Sequence, residues 1–408
     1  MYNAAMSLYA VIMRIAALFH SKAEKMLDGQ KQTFSVIRSE IDRGSSYIWV
    51  HAASLGEFEQ GRPLMEAIKN RCPSRKILLT FFSPSGYEIR KNYAGADIIC
   101  YLPFDTKRNV KRFLDAARPE KAVFIKYEFW LNYLTELHHR QIPVYIISAR
   151  FRPGQIFFRS YGGMFRKALA CFEKIFVQDQ SSKDLLAGIH VTDQVIISGD
   201  TRFDRVLAIS RQTKTLPIAE KFGQNASFVL TAGSSWPKDE EIVLAYFNRH
   251  PEIKLIIAPH EIHEERLSSI ERMSKRPVLR YSSATEQNIT NADCLIIDCF
   301  GILSSVYRYG NAAYIGGGFG VGIHNILEAA VYGIPVLFGP NYKKFKEAGD
   351  LIEAGGGFSV KNYDEFDNRL SSFIQNKEYL QITGRKSGDY VNSQVGATEI
   401  ILGSIDVT

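Results

Sequence analysis

A carboxylate that follows a buried strand and opens a helix is well placed to move protons, and Glu57 stands in such a segment, His51-Ala52-Ala53-Ser54-Leu55-Gly56-Glu57. In an open parallel sheet, ligands bind at the carboxyl ends of strands, so a base here could accept a proton from a hydroxyl as it attacks a sugar. Ser54-x-x-Glu57 is also the spacing of a capping box, which uses the same residue types for local reasons. The small residues Ala52, Ala53 and Gly56 leave room for a ligand beside it. A second strand end reads Lys126-Tyr127-Glu128-Phe129-Trp130. Glu128 could shape the same site, while Phe129 and Trp130 fit the commoner role of core aromatics. Arg150 and Arg152 follow a third strand, where guanidinium groups could pair with carboxylate or phosphate.

A different chemistry is written in Ile315 to Pro340, where an apolar strand runs into the glycines of Gly316-Gly317-Gly318-Phe319-Gly320-Val321-Gly322 and then into a helix. Glycines let backbone N–H groups approach an anion, and a helix entrance adds unpaired N–H groups and the positive end of its dipole. His324 and Asn325 would line that entrance, and Glu328 on the helix could accept from ribose hydroxyls. The ligand class expected is therefore a nucleotide, although tight packing of strand, turn and helix explains lone glycine clusters as well. No Gly-x-Gly-x-x-Gly register or P-loop can be drawn through the segment. Ser234, in Ala232-Gly233-Ser234-Ser235-Trp236, could hold a phosphate, with helix capping by Ser235 as the ordinary alternative. Asp298-Cys299-Phe300-Gly301 ends another strand, where main-chain groups could pair with a flat base. His260-Glu261-Ile262-His263 lacks the His-Glu-x-x-His spacing of a zinc site, and there is no Asp-x-Asp and no Gly-x-Ser-x-Gly. Neither a metal nor a cofactor is expected.

These residues need strands to carry them. Tyr47 to His51, Lys76 to Phe81, Asp97 to Leu102, Lys121 to Lys126, Pro143 to Ser148, Lys174 to Gln178 and Gln194 to Ser198 read as buried strands alternating with helical segments. After a polar stretch, Arg211 to Asn225, the alternation restarts with Ser227 to Thr231, Leu255 to Ala258, Cys294 to Asp298, Ala312 to Ile315 and Pro335 to Phe338. Such alternation predicts parallel sheets covered on both faces. The expectation is an α/β chain of two doubly wound, Rossmann-like domains, residues 31–210 and 226–408. A hinge at 211–225 joins them, and the site is expected in the cleft between the two.

The chain has 408 residues, 46% of them hydrophobic, and a formal net charge of +7. That balance suits an anionic partner, and without a basic tract or nucleic-acid motif, nucleic acid is the weakest choice. Five cysteines without Cys-x-x-Cys spacing read as reduced thiols. From Ala4 to Phe19 the chain is apolar apart from Ser7, Tyr9 and Arg14, and His20, Lys22 and Lys25 follow. A helix of that length spans about 24 Å, short of the roughly 30 Å hydrocarbon core. Residues 1–30 are therefore expected to anchor the protein at the cytoplasmic face of a membrane, with packing on the protein's own core as the alternative.

His51 to Glu57, Pro103-Phe104-Asp105, Glu128-Phe129-Trp130, Ala149-Arg150, Gly199-Asp200-Thr201-Arg202-Phe203-Asp204 and the glycine-rich segment, in that order, resemble the 3-deoxy-D-manno-octulosonic acid (Kdo) transferase family. The likeness runs from the N-terminal helix to about Ala348. The glycine-rich part is shared widely among GT-B glycosyltransferases, and the Glu57 segment is far more specific. The resemblance implies a GT-B fold and inverting, metal-independent transfer of Kdo from CMP-Kdo to a lipid A precursor at the cytoplasmic side of the cell inner membrane. It implies that Glu57 is the general base, and that Ser54, Gly56, Glu128, Arg150 and Arg152 contact the substrates. It further implies that Ser234, His260, Cys299, Phe300, Gly301, Gly317, Gly318, His324, Asn325 and Glu328 hold CMP. Two departures stand out: Lys126-Tyr127 replaces a more usual Glu-Thr, and His260 follows Pro259 where many members have arginine. His260, Lys238 and Lys343 are then candidates for the charge on the CMP phosphate. Two competing readings are a GT-B enzyme using a UDP-sugar on a lipid acceptor, and a non-catalytic membrane-bound nucleotide sensor.

Overall fold

The computed structural model describes residues 2–212 and 215–406; Thr213 and Lys214, within the expected hinge, lie outside it. The chain forms two compact units, one running to Arg205 and rejoined by the chain from Val395, the other Val206–Gln394.

In the first unit, strands β1 (Tyr47–Ala52), β2 (Lys76–Phe81), β3 (Ile98–Tyr101), β4 (Pro119–Ile125), β5 (Val144–Ala149), β6 (Lys174–Val177) and β7 (Val195–Ile197) make one sheet. Its order is β3-β2-β1-β4-β5-β6-β7, and every pairing is parallel. All six residues of β1 are buried, because helices cover both faces. Alternate side chains therefore enter different cores. Ile48, Val50 and Ala52 pack with Phe58, Leu64 and Val123, and Trp49 packs with Phe113, Phe124 and Tyr133. The strand order reverses between β1 and β4, so the crevice at their carboxyl ends is the natural ligand position. The expected strands are all present, with ends shifted by a residue or two.

The second unit repeats the plan with β8 (Phe228–Ser235), β9 (Ile253–Pro259), β10 (Val278–Arg280), β11 (Cys294–Ile296), β12 (Ala312–Ile315), β13 (Val336–Phe338) and β14 (Gly357–Ser359). The order is β10-β11-β9-β8-β12-β13-β14, again parallel, and reverses between β8 and β12. The edge strands β10 and β14 are absent from the sequence reading. Each is three residues long and not fully buried, so neither leaves a continuous apolar run.

Two boundaries differ from expectation. Most of the expected hinge is packed structure: helix Pro217–Gly223 buries Ala219 and Phe222, the latter in a core of the second unit, and Leu216 N–H donates to Tyr309 Oη at 2.8 Å. The end of the chain leaves the second unit. Helix Ala397–Ser404 places Ile401 and Leu402 in the first unit's core, and the Asp204 carboxylate caps it, accepting from Gly396 N–H at 2.6 Å and Thr398 N–H at 2.7 Å. A polar stretch in sequence could not show a chain that returns to its starting domain.

At the N-terminus, helix Tyr2–Ala16 and helix Ser21–Glu40 are bent 120° from one another. Among the described residues no single helix is long and apolar enough to cross a membrane. Met6 and Ala10 are buried on the domain, while Leu8, Val11, Ile12 and Ile15 face outward at the three- and four-residue spacing of one helix face, continued by Leu18 and Phe19 in the turn that follows.

Candidate active site

Glu57 sits in the first turn of helix Leu55–Arg71, directly after β1. The Ser54 side chain makes no cap bond, and the Glu57 carboxylate accepts from Ala53 N–H, one residue before the N-cap, at 2.6 Å. Burial and the nearby negative charge of Glu128 push the Glu57 pKa up to about 7, against the opposing pull of the Ala53 N–H and Lys126. A carboxylate tuned to that range is matched to general acid–base work near neutrality. A Cβ added at Gly56 would meet nothing within 4 Å, so the space beside the base is open.

Glu128 arrives from β4. The chain leaves that strand at Lys126, whose φ of 66° is left-handed. For a non-glycine residue this conformation is costly, and it persists where surrounding structure enforces it. The turn brings Glu128 to Trp130, whose Nε1–H donates to the carboxylate at 2.6 Å, and to His51 Nε2 at 3.4 Å. His51 is fully buried in β1, with Nδ1 2.9 Å from Thr80 Oγ1, and Trp49 Nε1–H donates to that same hydroxyl at 2.8 Å. Trp130 is thus a ligand of Glu128 as well as a packing residue. A cavity of about 370 Å³ opens here, lined by Glu128, Trp130, Phe157 and Phe165 among others.

Arg150 follows β5 and is drawn sideways: its Nε is 3.6 Å from Asp179, a carboxylate that also caps helix Gln180–Ala187. Arg152 is exposed two residues further on. The fold thus brings Glu57, Glu128, His51 and Trp130 together, with Arg150 one strand beyond Glu128 and Arg152 outside the cluster.

The second unit's glycine turn is built differently. Residues 316–321 form turns, 322–325 are irregular, and the helix that follows is a single turn, Leu327–Ala330, rather than a helix opened directly by the glycines. Gly317 N–H donates to the buried carboxylate of Asp239 at 2.8 Å, and the same side chain accepts from Tyr314 Oη–H at 2.6 Å and Trp236 N–H at 2.9 Å. Gly318 lies against Gly339, where a Cβ would come within 2.5 Å of a backbone nitrogen. Part of the glycine signal is therefore packing. Asp239 is the residue that sequence reasoning missed; its place three residues after Trp236, at a helix start with Pro237, is a capping signature.

Other groups converge on the carboxyl ends of β8, β9 and β12. Ser234 takes a left-handed φ of 52° at a bulge near the end of β8. Trp236 and His324 lie nearly coplanar, 9° apart, joined by Trp236 Nε1–H donating to His324 Nε2 at 3.0 Å. The exposed His260 ring stacks on both, with centroids 4.8 Å from Trp236 and 4.4 Å from His324. Burial, aided by His260, lowers the His324 pKa to about 4, so this ring is neutral and acceptor-loaded at Nε2. Glu328 accepts from Ser304 Oγ–H at 2.6 Å and from Asn325 Nδ2–H at 3.0 Å. Cys299 is half-buried, Phe300 is 80% exposed, and Gly301 has a φ of 91° with open space at its Cβ position. Lys238 and Lys343 are exposed.

Two parallel-sheet α/β units, each with polar groups at its switch point, define the GT-B class of fold. Solved structures agree. UDP-GlcNAc 2-epimerase from Neisseria meningitidis superposes with a TM-score of 0.62 at 17% identity, covering 88% of this chain and 99% of that one. MurG from Acinetobacter baumannii gives 0.56 at 9% identity, covering 89% and 100%. The sequence is more specific. Residues 27–205 match the family described as 3-deoxy-D-manno-octulosonic-acid transferase (kdotransferase). The Kdo transferase of Aquifex aeolicus is 27% identical over 343 residues, 82% of this chain and 88% of that protein. The Haemophilus influenzae Kdo transferase is 24% identical over 369 residues, 87% and 85% respectively. Over residues 27–205 the chain is thus similar to the Kdo transferase family of glycosyltransferases.

Proposed function

We propose that the protein transfers Kdo from CMP-Kdo to a lipid A precursor, with inversion and without a metal. The observation that carries this reading is Glu57, a carboxylate at the β1–β4 switch point with its pKa raised to about 7. The acceptor hydroxyl attacks the anomeric carbon of Kdo as its proton passes to Glu57. The bond from that carbon to the CMP phosphate breaks, and CMP leaves with the electron pair. Developing positive charge on the sugar is of the kind a carboxylate environment favours. Ser54, Gly56, Glu128 and Arg150 serve the sugar and acceptor. Ser234, His260, Cys299 to Gly301, Gly317, Gly318, His324, Asn325 and Glu328 hold CMP, with Gly317 and Gly318 shaping the turn, and His260 is favoured over Lys238 and Lys343 for the phosphate because it rests on the Trp236–His324 pair. The bent N-terminal helices, with their outward apolar stripe and Lys22 and Lys25, support interfacial attachment at the cytoplasmic face of the inner membrane.

The test is Glu57→Ala, assayed by mass spectrometry of the product from CMP-Kdo and a lipid A precursor. Turnover is expected to fall by about 10²–10⁴-fold while CMP binding, measured by calorimetry, is unchanged. Undiminished turnover would end the assignment of the base, and competition by UDP in preference to CMP would end that of the donor.

A further inference from the structure

We infer that the groove between the N-terminal helical pair and the loop after β2 binds one acyl chain of the lipid substrate. The inference rests on the lipid-acceptor reading above. The groove has a volume of about 680 Å³ and lies wholly within the first unit. Its walls are apolar: Tyr9, Met13 and Ala16 from the first helix, Phe19 from the turn after it, Phe82 and Pro84 from the loop. At its mouth stand His20 and Lys22. An apolar slot with Lys22 at its rim, beside the bend, suits a lipid chain entering from a bilayer whose anionic headgroups face that lysine.

Its position selects the occupant. Ser83 N–H, in the groove's loop, donates at 2.7 Å to Ala53 O, the residue whose own N–H binds Glu57. The ring of Phe82 lies 4.8 Å from that of Trp130, which holds Glu128, and 6.5 Å from Tyr9 in a stacked arrangement. One wall is therefore shared between the groove and the acidic cluster. On its other side the groove borders the outward apolar stripe, with Leu18 and Phe19 77% and 78% exposed at the bend. A chain lying here has its polar end toward Glu57 and Glu128 and its apolar end toward the bilayer side of the hairpin. The groove thus gives an acceptor hydroxyl a fixed distance from the base.

The experiment uses the full chain, CMP-Kdo and a series of acceptors with one headgroup and acyl chains of decreasing length, ending with a deacylated form. Wild-type KM is expected to rise as chains shorten, by at most about fourfold per methylene withdrawn from the groove. Ala16→Trp, which fills the slot, is expected to raise KM for the long-chain acceptor at least tenfold and leave KM and kcat for the deacylated acceptor unchanged. Met13→Trp provides a second filled groove should Ala16→Trp unfold, judged by thermal melting. Direct binding of the fluorescent fatty acid cis-parinarate, lost in either variant, reads the groove without any transfer reaction. Ile12→Ser, on the outward stripe, should weaken binding to phosphatidylglycerol vesicles while leaving the chain-length dependence intact. Equal effects of Ala16→Trp on acylated and deacylated acceptors, cis-parinarate binding unchanged by both Trp variants, or a dimer that only the filled grooves disrupt would each overturn the acyl site. Parinarate binding without Kdo transfer to any acceptor would instead overturn the functional reading and leave the groove standing.

Discussion

The switch points of the two sheets occupy equivalent places and are built on opposite plans. At β1 and β4 the side chains carry the chemistry. Glu57 accepts from Ala53 N–H, its charge is opposed by burial and by Glu128, and the adjoining Gly56 faces open space. At β8 and β12 the backbone is fixed instead: Asp239 takes the N–H of Gly317, and Gly318 presses on Gly339. A site that must move a proton keeps a poorly compensated carboxylate, whereas a turn that must present a rigid shape spends its polar groups on itself.

Removing the pin of the second site is the most severe way to break the contrast. Asp239→Ala leaves the buried Tyr314 hydroxyl and two N–H groups without their acceptor, each costing about 1–3 kcal/mol. Loss of the second unit's thermal transition, with the first unit's retained, is the expected calorimetric result. Next come paired glycine substitutions. Gly318→Ala forces a Cβ into the Gly339 backbone and should cost about 1–3 kcal/mol. Gly56→Ala, in a helix and facing open space, should stabilise by roughly 0.5–1 kcal/mol. Comparable losses from both in urea titrations would abolish the distinction.

The remaining predictions concern charge. Glu57 has a folded-state pKa of about 7, above its ordinary 4.5. Its contribution to stability is therefore fully present below about pH 4.5 and lost as pH rises through about 7. Glu57→Gln abolishes that loss, so the variant should be more stable than the wild type by about 3 kcal/mol at pH 8.5 and nearly equal to it at pH 4. A gain of the same size at both pH values would mean that ionisation is not the cause. The smallest effect is expected for Glu128→Gln. Without the Glu128 charge, Glu57 loses its proton at lower pH, and the acid limb of the pH–rate profile, with its midpoint near 7, should move toward acid. A limb that stays in place would leave burial as the whole explanation.

Much of the fold was legible without coordinates. Central parallel strands must be apolar along their whole length, so β1, β2, β4, β5, β8, β9 and β12 are visible as runs, and β10 and β14, short and at the edge, are not. The candidate residues were legible as strand-end motifs, yet their roles were not equally so. Gly317 and Gly318 looked alike as parts of an anion cradle, and in three dimensions one is tied to Asp239 and the other is a backbone contact. Trp130 looked like core and is a hydrogen-bond donor to Glu128.

Sequence alone determined the alternation of strands and helices, the family motifs and the identity of the carboxylate at the end of β1, because these are local in the chain. Tertiary structure decided the proton affinity of Glu57, through burial and through Glu128 from another strand. It also joined Asp239 to Gly317 across 78 residues and returned the last helix to the first unit. Pairings of that kind depend on which distant segments the topology brings together, and electrostatic energies depend on how completely the same packing excludes water.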